Sequence, residues 1–193
     1  MRVAIAGGGV GGLTAAAALA RKEIECVVYE QAPEVAVAGA SLQLGPNALR
    51  LMDEIGLLPA LREIGVRPDA VDFVRWSDGS LLLHTPLGAA MEEHFGAPQL
   101  DFYRPDLHHL LLRSLAPGTV KLGVAVKNVE QTNAGVTLEL ADGSRVEADV
   151  AVAADGIRSP IRQQLAGADQ PEFSGTVVYR GVVAREHALD LHP

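Results

Sequence analysis

Residues 3–12 read VAIAGGGVGG, a short apolar run followed by six residues of which five are glycine. The apolar run is typical of a strand buried on both faces. Residues 13–22 are alanine-rich and end in charge, which predicts a helix packed closely on a sheet. Residues 26–29, CVVY, then predict a second buried strand that ends at Glu30. The chain therefore opens with a β-α-β unit.

The glycines of this unit satisfy the pattern G-x-G-x-x-G at Gly7, Gly9 and Gly12. In that pattern the first glycine allows a tight turn, the second lets backbone approach a pyrophosphate, and the third permits close packing of helix on strand. The helix N-terminus, with Gly11, offers unpaired N–H groups to phosphates. Glu30 follows Gly12 by 18 residues, where a carboxylate can accept hydrogen bonds from ribose hydroxyls. These five residues predict a dinucleotide site.

Beyond the first unit, strand and helix patterns alternate and β-hairpins are inserted between them. Helices are predicted to begin at Pro46, at Pro105 and at Ser159-Pro160. A hairpin is predicted over 71–84, and residues 86–98 are interpreted as a loop with a helical turn. Further strands are predicted at 120–129, 136–140, 145–148, 150–154 and 176–184, of which 150–154 is expected to be buried and parallel.

This alternation predicts an α/β fold, a doubly wound, Rossmann-like sheet interrupted by pieces of a second layer. The predicted segments are 1–70 and 101–172 for the two parts of the doubly wound domain, 71–100 for the inserted segment, and 173–193 for the start of a further sheet.

The composition of the chain argues against several classes of function. A net charge of −8 argues against a nucleic-acid-binding surface. The uncharged stretch between Arg2 and Arg21 is interrupted by glycines, so we expect neither export nor membrane insertion. One cysteine, Cys26, excludes an internal disulfide and favours a cytoplasmic location. His108 and His109 are neighbours that point about 100° apart on a helix, so no metal site is expected.

Three further segments carry a more specific pattern: EQAP at 30–33 with GASLQLGPNA at 39–48, YRPDLH at 103–108, and ADGIRSPIR at 154–162. With these segments in this order and at this spacing, the chain resembles the class A flavin-dependent aromatic hydroxylases, the family of salicylate and 6-hydroxynicotinate monooxygenases. The resemblance implies a Rossmann-like FAD-binding domain, formed by 1–70 and 101–172, with inserted β-strands of a substrate domain at 71–100 and the start of the substrate-domain sheet at 173–193. It implies FAD as the cofactor and NADH or NADPH as a co-substrate that delivers hydride to it. It also implies O₂ as the oxidant and a small aromatic or heteroaromatic carboxylate or phenol-like compound as the substrate.

The resemblance also implies roles for individual residues. Gln43 is expected near the isoalloxazine ring and is the candidate catalytic residue. Gln31 stands where many members have an arginine. Val126 is expected to meet the adenine through its backbone.

Two charged residues of the quoted segments have a second interpretation. Arg104, just before a helix, can bind a phosphate or ribityl oxygen with its guanidinium, or it can be a solvated surface arginine. Asp155 with Gly156 follows a buried strand, where ligands of open α/β sheets bind, or it belongs to a helix-capping turn. For Tyr179-Arg180-Gly181 a structural role and a substrate contact are weighed equally.

Members of the resembling family carry a second flavin motif beyond the position where this chain stops. The chain is therefore expected to be the N-terminal part of a longer hydroxylase, and its partners are either a missing C-terminal half or a second copy in a homodimer. Two alternatives stay open. One is a truncated, non-catalytic dinucleotide-binding module. The other is an NAD-dependent dehydrogenase with Glu30 on the ribose, against which Arg104 and Asp155-Gly156 argue.

Overall fold

The computed structural model describes residues 1–34, 41–167, 171–179 and 185–188. Its strands are β1 Arg2–Ala6, β2 Glu25–Glu30, β3 Ser41–Leu44, β4 Ala70–Val74, β5 Leu81–Pro86, β6 Leu100–Tyr103, β7 Val120–Leu122, β8 Val126–Thr132, β9 Gly135–Leu140, β10 Arg145–Ala148 and β11 Val150–Ala153. Its helices are α1 Val10–Arg21, α2 Pro46–Glu54, α3 Leu58–Ile64, α4 Gly88–Phe95, α5 Arg104–Arg113, α6 Pro160–Ala166 and α7 Arg185–Ala188.

The chain divides into two compact units. The first unit comprises Met1–Val37 and Leu107–Thr176, and the second comprises Ala38–Asp106 and Val177–Pro193. The predicted domain division at residues 70, 100 and 172 stays a prediction.

A four-stranded parallel sheet, in the order β11-β1-β2-β7, forms the centre of the first unit. Val3 lies opposite Val150 on one side and opposite Cys26 on the other. The side chains of β1 from Val3 onward are buried, as expected for a central strand covered on both faces. Helix α1 packs on β1 and β2, and its small residues allow the close approach that the alanine-rich segment predicted. The β-α-β prediction and the parallel position of 150–154 are thus confirmed.

A three-stranded antiparallel sheet, β10-β9-β8, covers part of this parallel sheet. Leu138 and Leu140 point from β9 into a core that also contains Ala4, Tyr29 and Ala148. Leu138 is fully buried, and burial of a leucine side chain contributes about 1.5–3 kcal/mol. The second layer therefore stabilises β1 and β2, the two strands that lead into the predicted dinucleotide site.

The second unit contains two antiparallel strand pairs, β3 with β6 and β4 with β5. The predicted hairpin over 71–84 is confirmed as β4 and β5, with an irregularity between Phe73 and Val74. Phe102 of β6 is buried, as are Leu49 of α2 and Leu61 of α3. Gly65 follows α3, and a Cβ there would lie 2.8 Å from the ring of Phe102, so glycine is needed for this packing.

Two predictions along the chain are wrong in detail. The single strand predicted at 120–129 is two strands, β7 and β8, because the chain leaves the parallel sheet at Gly123, whose φ is +72°. The N–H of Gly123 donates to Ala32 O, which holds this turn beside the end of β2. Residues 86–98 contain the helix α4 rather than a loop, ended by Gly96 in the left-handed conformation.

The strand predicted at 176–184 is also wrong for the part that the structure describes. Residues 176–179 form no strand, and residues 180–184 lie outside the described residues. Val177 and Val178 are exposed and Tyr179 is 94% exposed. An apolar sequence pattern alone does not make a strand, because each strand needs a neighbour that receives its backbone hydrogen bonds.

Candidate functional site

The glycine-rich turn between β1 and α1 is built from close backbone contacts. Gly7 has φ +102°, and a Cβ there would lie 2.2 Å from the carbonyl oxygen of Ala154. A Cβ at Gly12 would lie 1.9 Å from the carbonyl oxygen of Gly7. Neither position therefore accepts a side chain without backbone movement. These contacts confirm the turn and packing roles that the glycine pattern predicted for the first and third glycines.

Gly9, the second glycine of the pattern, and the nearby Gly11 are next to open space. A Cβ at Gly9 or at Gly11 would meet no atom within 4 Å. Gly9 is the N-cap of α1, and no side chain caps this helix end. In the described part of the chain the N–H groups of Gly9, Val10 and Gly11 donate no hydrogen bond. The turn therefore combines N–H groups that lack a partner among the described residues with the positive end of a helix dipole, an arrangement that suits an anionic group.

Glu30, at the carboxyl end of β2, reaches back to this turn. One of its carboxylate oxygens accepts a hydrogen bond from Gly8 N at 2.6 Å, and the other accepts one from Ala32 N at 2.8 Å. A Cβ at Gly8 would lie 2.8 Å from the Cβ of Glu30, so the residue between the first two glycines of the pattern must also be small. Each carboxylate oxygen retains a lone pair for a hydroxyl donor.

A cavity of about 450 Å³ lies at the carboxyl ends of β1, β2 and β11. Ligands of open α/β sheets bind at this edge, and the volume is within the usual range for small-molecule sites. The cavity brings together most of the predicted site residues: Gly7, Gly9, Glu30, Gln31, Val126, Asp155 and Gly156. The other residues that line it are Ala6, Tyr29, Ala125, Ala154, Arg158 and Pro160.

Charge is unevenly distributed around this cavity. Glu30 and Asp155 contribute carboxylates, and Arg158 contributes a guanidinium. Burial raises the pKa of the Tyr29 phenol, against a smaller lowering by the positive charge of Arg2. Tyr29 therefore stays a neutral hydroxyl group at physiological pH. The cavity thus combines acceptors for hydroxyl groups with backbone N–H donors and one cation for phosphate.

The segment after β11 contains Asp155, for which the sequence left open two roles, ligand binding and capping of the next helix. Ser159 caps α6, because its hydroxyl oxygen accepts a hydrogen bond from Arg162 N at 2.8 Å. The carboxylate of Asp155 lies 3.5 Å from Ile161 N, which is too long for a strong cap. Capping is therefore performed by Ser159, and Asp155 keeps acceptor capacity toward the cavity that it lines. Gly156 provides the turn with φ +87°.

Four predicted site residues do not line the cavity. Gly11 and Gly12 lie in the first turn of α1. Arg104, the first residue of α5, belongs to the second unit and is exposed. Gln43 also belongs to the second unit, on β3 opposite Asp101 of β6.

The side chain of Gln43 has a charged partner. Its Nε2 lies 3.3 Å from a carboxylate oxygen of Asp101. Because a carboxylate only accepts hydrogen bonds, the amide group must turn its NH₂ toward Asp101 and leave its oxygen available.

Sequence reasoning missed three residues of this site. Arg158 was quoted within a motif but was not assigned a role. Gly8 was treated as an x position of the glycine pattern, at which any residue is allowed. His108 was considered only as a metal ligand with His109, whereas its Nε2 lies 2.6 Å from the carbonyl oxygen of Gly8. A contact between residues 100 positions apart cannot be predicted from a local sequence pattern.

Metal-ion sites and membrane-spanning helices are two other features for which the described residues give evidence. Over residues 1–34, 41–167, 171–179 and 185–188, no group of three or more His, Cys, Asp or Glu side chains is arranged to hold a metal ion. In the same ranges no helix has the length and apolar character that crossing a membrane requires.

Comparison with known proteins finds close similarity over almost the whole chain. The sequence pattern of the FAD binding domain family matches residues 1–191. The 3-amino-4-hydroxybenzoate 2-monooxygenase of Streptomyces platensis is 48% identical over 190 residues, which cover 98% of this chain and 48% of that protein. The 6-hydroxynicotinate 3-monooxygenase of Bordetella bronchiseptica is 36% identical over 181 residues, which cover 94% of this chain and 47% of that protein.

Similarity extends to solved structures. Klebsiella pneumoniae HpxO, in a crystal structure with FAD and uric acid, matches with a TM-score of 0.80 and 29% sequence identity. The match covers 88% of this chain and 43% of that chain. The chain spans about half the length of the curated relatives it matches.

Proposed function

The chain belongs to the FAD binding domain family, and from that premise we propose that its first unit holds FAD in the cavity at the carboxyl ends of β1, β2 and β11. The observation that carries the proposal is the set of N–H groups of Gly9, Val10 and Gly11 at the start of α1, which donate no hydrogen bond within the described residues. A diphosphate supplies the negative charge that such a helix end stabilises.

The remaining parts of the cofactor match the other polar groups of the cavity. We assign Glu30 to ribose hydroxyls, because its carboxylate is fixed by two backbone N–H groups and still has free lone pairs. Val126 and Gln31 also line the cavity and are candidates for the adenine and its ribose. Asp155 and Gly156 are assigned to the flavin half, with Arg158 as the nearby cation.

We further propose that the whole protein is an aromatic-ring monooxygenase that uses NADH or NADPH and O₂. The support is the name of each relative, 3-amino-4-hydroxybenzoate 2-monooxygenase and 6-hydroxynicotinate 3-monooxygenase, both of which act on hydroxylated aromatic or heteroaromatic carboxylates. When bound, FAD supplies the redox chemistry, and the protein supplies binding, orientation and exclusion of water. The proposed chemistry is that of the cofactor and requires no nucleophilic side chain.

Gln43 and Arg104 are proposed as further cofactor-binding residues, because the family resemblance implies these roles. For Gln43, the carboxylate of Asp101 holds the amide NH₂, so the amide oxygen is free to accept a hydrogen bond. For Arg104, exposure leaves the guanidinium available to an anionic or hydroxylated ligand. A cytoplasmic location is also proposed, on the basis of a single cysteine in 193 residues.

Bound flavin is the direct test of cofactor identity. We expect the purified chain, after incubation with FAD and removal of excess ligand, to show the visible absorption bands of oxidised flavin. Titration of FAD fluorescence then measures the dissociation constant, and NAD⁺ at the same concentration is the control ligand. A colourless protein whose addition leaves FAD fluorescence unchanged would contradict the proposal.

Substrate-stimulated oxidation of the reduced nicotinamide tests the enzymatic proposal separately. We expect NADH or NADPH oxidation, followed by absorbance, to accelerate when a hydroxybenzoate or a hydroxypyridine carboxylate is added, with matching O₂ consumption. Benzene-ring compounds without a carboxylate or hydroxyl serve as controls. Flavin binding without any stimulation by these compounds would favour the non-catalytic dinucleotide-binding module.

A further inference from the structure

His108 connects helix α5 to the glycine-rich turn. Its Nε2 lies 2.6 Å from the carbonyl oxygen of Gly8. Because a carbonyl oxygen only accepts hydrogen bonds, Nε2 must carry the hydrogen and donate it. Its other ring nitrogen, Nδ1, is buried and has no hydrogen-bond partner in the part of the chain that the structure describes. The ring therefore makes its hydrogen bond through Nε2, and the acceptor is the carbonyl oxygen of this turn.

Gly8 is held from both sides. Its N–H donates to the carboxylate of Glu30, and its carbonyl accepts from His108. Gly8 is buried, and a Cβ would collide with the side chain of Glu30. We call these three residues, Glu30, Gly8 and His108, the Gly8 clamp. The clamp fixes both peptide groups that flank Gly8.

The direction of the next N–H group follows from the clamp. The peptide bond between Gly8 and Gly9 is trans, so the N–H of Gly9 points opposite to the carbonyl of Gly8. The carbonyl is directed at His108, and the N–H of Gly9 is therefore directed away from that side chain. Gly9 lines the cavity. A rotation of this peptide would replace an N–H donor by a carbonyl oxygen, which repels phosphate.

We propose that His108 is a positioning residue, which holds the peptide between Gly8 and Gly9 so that the N–H of Gly9 binds the diphosphate of the cofactor. This inference rests on the proposed FAD binding. His108 itself does not line the cavity and acts through the backbone.

Three variants separate hydrogen bonding from packing. His108→Ala removes the donor and the ring. His108→Gln restores an N–H donor, because the glutamine Nε2 is as many bonds from Cα as the histidine Nε2. His109→Ala is the matched control, since His109 is the adjacent half-buried histidine of α5 and makes no side-chain hydrogen bond within the described residues.

The first measurement needs no cofactor. Amide hydrogen exchange over residues 7–13 is expected to become about three- to tenfold faster in His108→Ala, to return toward wild type in His108→Gln, and to stay unchanged in His109→Ala. Nitrogen NMR of the wild type is expected to find the ring of His108 protonated at Nε2. Exchange in His108→Ala equal to that in His109→Ala, or a ring protonated only at Nδ1, overturns the clamp.

The second measurement is the dissociation constant for FAD. It is expected to rise about three- to tenfold in His108→Ala, and to recover in His108→Gln. An unchanged constant in His108→Ala overturns the role of His108 in positioning the N–H of Gly9. A wild-type chain that binds no FAD contradicts the proposed function, and the ligand-free exchange experiment still judges the clamp independently.

Discussion

Gly12→Ala is expected to lower the Tm of the protein by about 6–12 °C, which corresponds to about 3 kcal/mol of unfolding free energy. The added Cβ would lie 1.9 Å from the carbonyl oxygen of Gly7, and Gly7 in turn packs on Ala154. Alanine is the better helix former by about 1 kcal/mol, but this gain is smaller than the cost of moving two packed backbone segments. Thermal unfolding followed by circular dichroism measures the difference.

Gly7→Ala is expected to be at least as destabilising, because the new Cβ meets Ala154 O at 2.2 Å and the residue has φ +102°. Gly9→Ala is the matched control: Gly9 has φ −70°, and its Cβ would face open space. That variant should keep the wild-type Tm within about 2 °C and yet bind FAD more weakly, since the methyl group occupies space next to the free N–H groups. A wild-type Tm in Gly12→Ala would contradict the packing argument.

The difference between these glycines shows what the sequence could reveal. Spacing alone distinguished Gly7 and Gly12, whose missing side chains allow close backbone packing, from Gly9, whose Cβ position is open and for which ligand binding is proposed. That was possible because all three belong to one local β-α-β unit whose geometry is determined by neighbours in sequence. The position of the cavity was predictable for a different reason. Once β1, β2 and β11 are identified as parallel strands, their carboxyl ends must meet at one edge of the sheet.

Contacts between distant segments were not predictable in this way. Strand β3 has only four residues and was not identified, because its pairing with β6 joins segments about 60 positions apart. The same distance hid the contact of Gln43 with Asp101. The contact of His108 was even less predictable, because its partner is the carbonyl of Gly8 and not a neighbour along α5.

The break of the strand predicted at 120–129 has a local sign that was not used. Gly123 interrupts an otherwise continuous strand pattern, and an isolated glycine within such a pattern often marks a bend. The structure shows that this bend transfers the chain from the parallel sheet to the antiparallel one. It also brings Ala125 and Val126 to the wall of the cavity. The resemblance had placed Val126 at the adenine, and the bend is what gives that residue access to the cavity.

Glu30→Ala is expected to weaken FAD binding by about 10- to 100-fold and to lower the unfolding free energy by about 1.5–3 kcal/mol. The carboxylate accepts hydrogen bonds from Gly8 N and Ala32 N, and its removal leaves both donors without a protein partner. Glu30 is half-buried, so water replaces part of what is lost, and the stability effect stays below that of two fully buried charged hydrogen bonds. Fluorescence titration with FAD and thermal unfolding measure the two effects on the same samples.

Two further variants identify the cause of that loss. Glu30→Gln keeps the size of the side chain and one acceptor oxygen, but its NH₂ group must face one of the two backbone N–H donors, so an intermediate loss is expected. Glu25→Ala removes the same charge from the exposed start of β2 and should leave both FAD binding and Tm unchanged. If Glu30→Gln behaved as wild type, the negative charge and the second acceptor would be dispensable. If Glu25→Ala weakened FAD binding as much as Glu30→Ala, the effect would come from the overall charge of the strand and not from the hydrogen bonds that hold the turn.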